Sequence, residues 1–545
     1  MEKTGRQPDV ILRGGTVADG TGAPPYQADV AITGDRIGAV GDLGGIRAPL
    51  EIDARGRYVT PGFIDSHSHA DSTLWAAPEC GNLLTQGITT ILCGNCGYSM
   101  RNRLRGIPFD PAGDGVTSVY DLVGRGDVPK GAMAAVLDKA EAMGAGVNAA
   151  WLCGHNDLRV IAGLGRADYT EEQFAVMEGF LREAMEAGFF GFSTGLEFDP
   201  GVTSRPEEVE RLAAVAAEYG GNYASHMRDE GTYILEAVEE FLNVIRKTGM
   251  RGTVSHLNVK DDNGVPPETL DRAMQMLRDA REKEGLDVLT DMLSTCFATG
   301  GAQAMLPAWL YADGWDQARE ILADPEGRKK VKGDLNRYWR FLAAGQWDRL
   351  LRVQPPYWPE VAGLPFSDLV RRWGKDPADC FLDIVQAAPR IEDVRGCSMQ
   401  GLVFREQTLL DSVVRDPLYL WMTDCVAAPE TGPVAEIARN VQNYMGMTYF
   451  FTRYVRDLGA VPVEAAVAKV TGLPAAHYGF RERGVLREGY FADVNVFALE
   501  DLEIRSSFED PCRYSGGFSW VFVNGKPAVA DGRLAGDRFG RVLRR

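Results

Sequence analysis

The chain has 545 residues, 45% of them hydrophobic and 25% charged, the make-up of a globular protein with room for a large core. A formal net charge of −18 and a pI near 5.0 exclude the basic footprint of nucleic-acid or anionic-membrane binding. Nine scattered cysteines fit no disulfide framework, no apolar stretch is long enough to span a bilayer, and Met1–Pro8 lacks the apolar core of a secretory signal, so a cytoplasmic protein with reduced thiols is expected.

Asp9–Val17, Ala28–Ile32 and Arg36–Gly41 alternate or run apolar between Gly and Asp breakers and read as strands. Ala492–Phe497 and Trp520–Lys526 repeat that pattern near the other terminus. Two strand-rich ends around a different middle predict a small β-sandwich domain built from residues 1–61 and 480–545.

Tyr58–Ser66 is a short apolar strand leading into His67-Ser68-His69. Residues two apart on a strand point to the same side, so both imidazoles face one way at its carboxyl end. Two of the chain's six histidines are placed here, and together they make half a metal site. Further on, Thr170 and Gln173 form a capping box ahead of a helix striped by Phe174, Met177, Leu181, Ala184 and Met185. Phe189–Gly195 reads as a buried strand. Ser204 and Glu207 suggest a second capping box, with Pro206 in the first turn and Gly220-Gly221 closing the helix. Asn222–His226 is the next strand.

This β-α succession predicts an α/β fold, a (β/α)8 TIM-like barrel over residues 62–479. Its eight candidate strands end near His69, Cys96, His155, Leu196, His226, His256, Asp291 and Asp424. The last two lie about 130 residues apart, far beyond ordinary loop length. A helical insertion at about 305–415, rich in tryptophan (Trp309, Trp315, Trp339, Trp347, Trp358, Trp373), is expected between strands 7 and 8, either as a lid at the mouth or as a peripheral insert. Arg328-Lys329-Lys330 within it reads as a solvated helix patch.

Barrel chemistry gathers at the carboxyl ends of strands. His67, His69, Cys96, His226, His256 and Asp424 all fall there, and imidazole, thiolate and carboxylate donors together suit Zn²⁺. Cys93-Gly94-Asn95-Cys96 has redox-like spacing, but residues three apart on a strand face opposite sides, which leaves Cys96 as a single ligand. Asp424 can ligate metal, act as base, or cap a following helix. His155 reads as a supporting or simply satisfied buried histidine, and His477 as structural.

At these residues the chain resembles the amidohydrolase superfamily, and within it the N-acyl-D-amino-acid deacylases (D-aminoacylase family), over nearly its whole length. The matching motifs are Pro61–His69, Gly94-Asn95-Cys96-Gly97, Ser193–Leu196, Ser225–Glu230, Ser255-His256, Leu306–Trp309 and the late run from Arg483 through Gly489, Ala492 and Asp493. The deacylases use this cysteine where other members place a carboxylated lysine on the fourth strand, and Phe189–Leu196 contains no lysine.

The resemblance implies a zinc-dependent amidohydrolase of C–N bonds other than peptide bonds, acting through metal-activated hydroxide. It implies a tight zinc on Cys96, His226 and His256, and a second, weaker position on His67, His69 and Asp424 that can share Cys96. Asp424 is then also the catalytic base, which takes the water's proton and returns it to the departing nitrogen.

Around this intact ligand set the substrate-facing residues depart from the family. The His and Lys that follow the sixth-strand histidine are Leu257 and Asn258 here, with Lys260 two residues further on. The Tyr-Pro-Tyr after the seventh-strand aspartate is Leu293-Ser294-Thr295, which follows Asp291 and Met292. The His-Pro-Arg of the eighth strand is replaced within Ala427–Gly432, and a tyrosine by Phe198. Without the arginine no bidentate carboxylate clamp forms.

The expected substrate is therefore a small-molecule amide, derived from an N-acyl amino acid or otherwise, that presents no clamped free α-carboxylate. His155, Phe198, Arg228, Asn258, Lys260 and Thr295 are candidate substrate contacts. A hydantoinase-like cyclic amide or imide hydrolase, or a metal-dependent lyase on the same barrel, is the enzymatic alternative, and a catalytically dead binding protein the other. No nucleic acid or membrane partner is expected, and a homo-oligomer is compatible with the sequence.

Overall fold

The computed structural model describes residues 7–100, 128–164, 167–259, 265–266, 268–311, 313–335 and 337–545. The chain opens with β1 (Val10–Val17), β2 (Tyr26–Thr33), β3 (Arg36–Gly41), β4 (Leu50–Asp53) and β5 (Tyr58–Pro61). Antiparallel pairing joins β1 to β2 and β2 to β3, while β4 and β5 run parallel to β1.

Beyond them β6 (Phe63–Asp65), β7 (Ile88–Cys93) and β8 (Asn148–Trp151) form a parallel set. After Leu152 the chain continues as β9 (Cys153–Gly154), which opens a second parallel set with β10 (Gly191–Gly195), β11 (Asn222–His226), β12 (Arg251–Val254), β13 (Val288–Leu293) and, much later, β17 (Tyr419–Met422). A parallel bridge between Ser68 and Cys425 brings the end of β17 beside the end of β6. The architecture is thus α/β, and every strand end read from the sequence has a strand ending within a few residues of it.

Helices cover the outside of these strands, and their buried stripes follow the sequence pattern. In Glu171–Ala187 the buried residues are Phe174, Met177, Leu181, Ala184 and Met185, and the Thr170–Gln173 capping box is formed. The second capping box is not. Pro206 begins the helix Pro206–Glu218 as expected, but the Ser204 hydroxyl donates back to the Gly201 carbonyl at 2.7 Å, because the residue closes a 3-10 turn over Gly201–Thr203. His477 lies in Gly472–Tyr478 with its Nε2 3.0 Å from the Thr253 hydroxyl, a packing role.

Between β13 and β17 the added segment contains the helices Trp315–Ala323, Pro325–Gly333, Phe366–Trp373 and Pro377–Gln386. It is not wholly helical. β14 (Phe297–Gly301), β15 (Leu350–Gln354) and β16 (Ser398–Leu402) make an antiparallel sheet in the order β14-β16-β15. Trp315, Trp339 and Trp347 are buried, so half of the tryptophans form the segment's own core. Of the basic run, Lys329 and Lys330 are exposed on the helix Pro325–Gly333, as a solvated patch would be, with Lys330 4.0 Å over the Trp309 ring, whereas Arg328 is packed and ion-paired to Asp383.

The far end returns as β18 (Val494–Phe497), β19 (Phe518–Val523), β20 (Lys526–Ala530) and β21 (Arg533–Leu534). Both ends of the chain meet in one nine-stranded sheet, ordered β21-β20-β19-β18-β5-β1-β2-β3 with β4 on β1. Val10, Leu12, Val30, Ile32, Val494, Val496 and Phe522 form a buried cluster of its own on this sheet. A buried polar knot ties it to β8. Asp493 is ion-paired to Arg483 and accepts from the Asn524 backbone (2.8 Å) and from Asn148 Nδ2 (3.2 Å), while Asn524 Nδ2 donates to Asn148 Oδ1 at 2.8 Å. Among the described residues no helix is long and apolar enough to cross a membrane.

Candidate metal centre

Donor atoms of six residues at five strand ends converge. Cys96 Sγ lies 3.2 Å from His67 Nε2, 3.5 Å from His256 Nε2 and 3.9 Å from His226 Nδ1, and the two latter nitrogens are 3.0 Å apart. Asp424 Oδ1 is 3.1 Å from His69 Nε2 and 3.7 Å from His67 Nε2. Three donor groups close enough to share an ion result among the described residues: His67-His69-Cys96 and Cys96-His226-His256, with the sulfur common to both, and Glu197-His226-Glu230 behind them.

The backbone is bent to make this possible. Gly94, at φ +81°, lets β7 pass close to Leu152, where any side chain would strike that carbonyl. Cys96, His256 and Asp424 themselves take left-handed conformations, at φ +52°, +35° and +56°. Non-glycine residues there cost of order 1–3 kcal/mol each and are held only by surrounding structure. Cys93, by contrast, stays in β7 among the apolar core, so only one of the two closely spaced thiols joins the cluster. Asp424 caps no helix, because its carboxylate is turned to His69.

Carboxylates stand behind the imidazoles. Glu230 Oε1 is 2.6 Å from His256 Nδ1, Glu197 Oε2 is 2.9 Å from His226 Nε2, and Asp291 Oδ2 is 3.3 Å from His67 Nδ1. Asp291 also accepts the His256 backbone N–H at 2.6 Å. Each such contact sets which ring nitrogen carries the proton and frees the other as a donor to metal. No local sequence signal singles out these three carboxylates for that role, although all lie on or just after the predicted strand ends.

The electrostatics are those of a site short of positive charge. Burial alone would raise the Cys96 thiol, but His67, His226 and His256 hold it well below its ordinary value. Burial alone would lower the imidazoles, yet Cys96 and the carboxylates drive His67 and His256 well up and His69 to about 9. Burial would likewise raise Asp424, and His69 and His67 outweigh it.

A divalent cation fits this donor set. Tetrahedral zinc, with Zn–S about 2.3 Å and Zn–N about 2.0 Å, separates sulfur from nitrogen by about 3.5 Å and two nitrogens by about 3.3 Å. Cys96, His226 and His256 show 3.9, 3.5 and 3.0 Å. Their side chains are buried, whereas His69 and Asp424 keep 13% and 22% of theirs exposed, so the open side of the centre is theirs.

The candidate substrate contacts divide. Phe198 packs its ring 4.2 Å from that of His226 and 5.6 Å from Tyr338 of the inserted segment. Arg340 of the same segment is 2.5 Å from Asp229, so the insertion reaches the rim of the centre. Asn258 is fully buried two residues beyond His256. Thr295 bonds to Gln442 Oε1 at 2.8 Å, and Gln442 bonds to the Thr423 carbonyl next to Asp424. Two others are engaged elsewhere. Arg228 is held by both oxygens of Glu240, at 2.8 and 2.9 Å, and His155 Nε2 by Glu208 at 2.7 Å. Lys260 lies outside the described residues.

Comparison with known proteins gives consistent results. The profile of the amidohydrolase family matches residues 50–326. The chain is 31% identical over 549 aligned positions to D-aminoacylase of Alcaligenes xylosoxydans xylosoxydans, covering all of this chain and 99% of that one. A crystal structure of D-aminoacylase, described as defining a novel subset of amidohydrolases, superposes with TM-score 0.77 at 28% identity over 99% of this chain and 100% of the other. N-acyl-D-glutamate deacylase of Bordetella bronchiseptica, solved with zinc and a phosphonate mimic of the tetrahedral intermediate, gives 0.77 at 29% identity with the same coverage.

Proposed function

Because the chain belongs to the amidohydrolase family, we propose that its centre is a zinc site for cleaving the amide C–N bond of a small molecule, in the manner of the D-aminoacylases. The single observation that carries this is the meeting of Cys96, His226 and His256 at zinc-ligand spacings next to a carboxylate, Asp424, with solvent access. Cys96, His226 and His256 are the tight set; His67, His69 and Asp424, with Cys96 shared, are the weaker one. In the same reading, the parallel strands with their Ser68–Cys425 bridge form a closed eight-stranded barrel over 62–479 with its insertion at about 305–415. Residues 1–61 and 480–545 form the β-sandwich unit.

Zinc bound there supplies the Lewis acidity that brings the pKa of a water molecule toward neutrality. The chain's own residues do the rest. Asp424 accepts the proton of the attacking water and passes it to the amine nitrogen, which is too basic to leave without it. Glu197, Glu230 and Asp291 keep the imidazoles in their donor tautomers. Phe198 presents a ring with no hydroxyl beside His226, and Arg228 is committed to Glu240, so neither is offered to a substrate carboxylate. The substrate is an amide without a clamped free α-carboxylate.

Metal quantitation followed by an amide screen with product analysis tests the reading. One zinc or more per chain and two products per turnover are expected. A single ring-opened product would move the assignment to a cyclic amide hydrolase, and a protein without metal affinity would be a binding protein instead.

A further inference from the structure

The backbone is left-handed at Gly94, Cys96 and Gly97, with φ +81°, +52° and +78°. A stretch bent in this way joins no strand or helix ladder, yet it is buried, so its amide and carbonyl groups need partners from elsewhere. One side chain meets both flanks of the cysteine. The Ser193 hydroxyl donates to the Gly94 carbonyl at 2.5 Å and accepts the Gly97 N–H at 3.0 Å. A hydroxyl has one hydrogen to donate and lone pairs with which to accept, and Ser193 uses both functions on this turn.

Ser193 reaches the turn from the middle of β10 and is fully buried there. The next side chain is engaged elsewhere: Thr194 Oγ1 lies 2.9 Å from the hydroxyls of Tyr223 and Ser225. The strand then passes so close to the cysteine that a β-carbon at Gly195 would stand 2.1 Å from the Cys96 carbonyl oxygen. From the helix His155–Ile161, the Asn156 N–H donates to the Gly97 carbonyl at 2.9 Å. The conformation of Cys96 is thus imposed from β10 and this helix, neither of which supplies a donor atom to the cluster.

Cys96 Sγ is common to two of the donor groups, so any rotation of the turn displaces the sulfur from both at once. We propose that Ser193 is a positioning residue for the metal centre: its hydroxyl fixes the left-handed turn that aims Cys96 Sγ at the ion. This rests on the zinc reading above and names a residue that holds its shared ligand. Without the hydroxyl, a buried carbonyl and a buried N–H lose their partner, and the turn relaxes toward other partners and carries the sulfur with it.

The test loads the full chain with Co²⁺ in place of zinc and records the thiolate-to-cobalt charge-transfer band, which reports the metal–sulfur bond itself. Zinc affinity is measured beside it by competition with a chelator. Ser193→Ala should weaken zinc binding about 10- to 100-fold and shift or diminish the band. Ser193→Thr, which keeps the hydroxyl, should retain the band and most of the affinity. Thr253→Val is the control. It removes a buried hydroxyl that is bonded instead to the helix Gly472–Tyr478, at 3.0 Å from His477 Nε2 and 2.9 Å from the Tyr478 hydroxyl, and it should lower stability while leaving the band unchanged. An unchanged band and affinity in Ser193→Ala, equal losses in the Ala and Thr variants, or a band change of the same size in Thr253→Val overturns the assignment to Ser193 and leaves the zinc reading standing. An unaltered chain that binds neither Co²⁺ nor zinc removes both.

Discussion

Glu230 Oε1 stands 2.6 Å from Nδ1 of His256, and the opposite nitrogen of that ring is 3.5 Å from Cys96 Sγ. The carboxylate thus fixes which edge of the imidazole faces the sulfur. Its loss should leave the ligand in place but badly held. Glu230→Ala is expected to weaken zinc binding about 10- to 100-fold, measured by competition with a chelator. Unchanged affinity would mean that the ring is oriented by packing alone.

Cys96 and Asp424 should fail in different ways. Cys96→Ala removes the donor shared by the His67-His69-Cys96 and Cys96-His226-His256 groups, and tight zinc and turnover should disappear together. Asp424→Asn keeps the shape and most of the donors, so zinc should remain while kcat falls by about 10²- to 10⁴-fold, the usual worth of a positioned acid–base group. Elemental analysis beside steady-state kinetics separates the two. If Asp424→Asn were fully active, the proton would have to move by another route.

Much of this is legible in the sequence, and the misses have physical causes. Ligand-type residues are rare enough, and strand ends clear enough, that residue type and position alone mark His67, Cys96, His226 and Asp424. Glu197 and Glu230 escape such a reading, since a carboxylate two or four residues after a strand is ordinary loop composition; only the fold shows which ring it meets. Ser204 has the right spacing for a cap, yet its hydroxyl is spent on Gly201 one turn earlier. The sheet inside the insertion joins Phe297–Gly301 to Ser398–Leu402, a pairing that no local periodicity announces. Arg228 sits in a family motif, and the acidic partner that engages it lies a few helical turns further on in Ile234–Thr248.

Lys469 gives the protein a titration that can be read away from the centre. Burial lowers it from 10.5 to about 8, while its ammonium donates to the carbonyls of Asp416 and Tyr419. The folded pKa is below the unfolded one, so the cost of burying the charge is fully present below pH 8 and is relieved as pH rises from about 8 to 10.5. That cost is about 3 kcal/mol as an order of magnitude. Denaturant unfolding should show a stability that rises across this window relative to Lys469→Met. Parallel profiles for the two proteins would rule the lysine out as the source.

The Arg483–Asp493 pair lies in the polar knot between the nine-stranded sheet and β8, with almost no exposure on either side chain. Removing one partner strands a buried charge. Arg483→Ala should cost about 3–5 kcal/mol by chemical denaturation, whereas replacing both residues together should cost less than the two single changes added. Simple additivity would show that the two side chains are not energetically coupled.

The left-handed turns at Cys96, His256 and Asp424 carry a lesson for protein engineers. A designer who grafts these side chains onto a regular strand scaffold would aim the sulfur and the carboxylate in the wrong directions, however faithfully the residue types were copied. What must be transplanted is each ligand together with its bend and the neighbours that enforce it, such as Gly94 ahead of the cysteine. Libraries built to alter specificity should therefore leave those three backbones untouched and vary the positions beyond them.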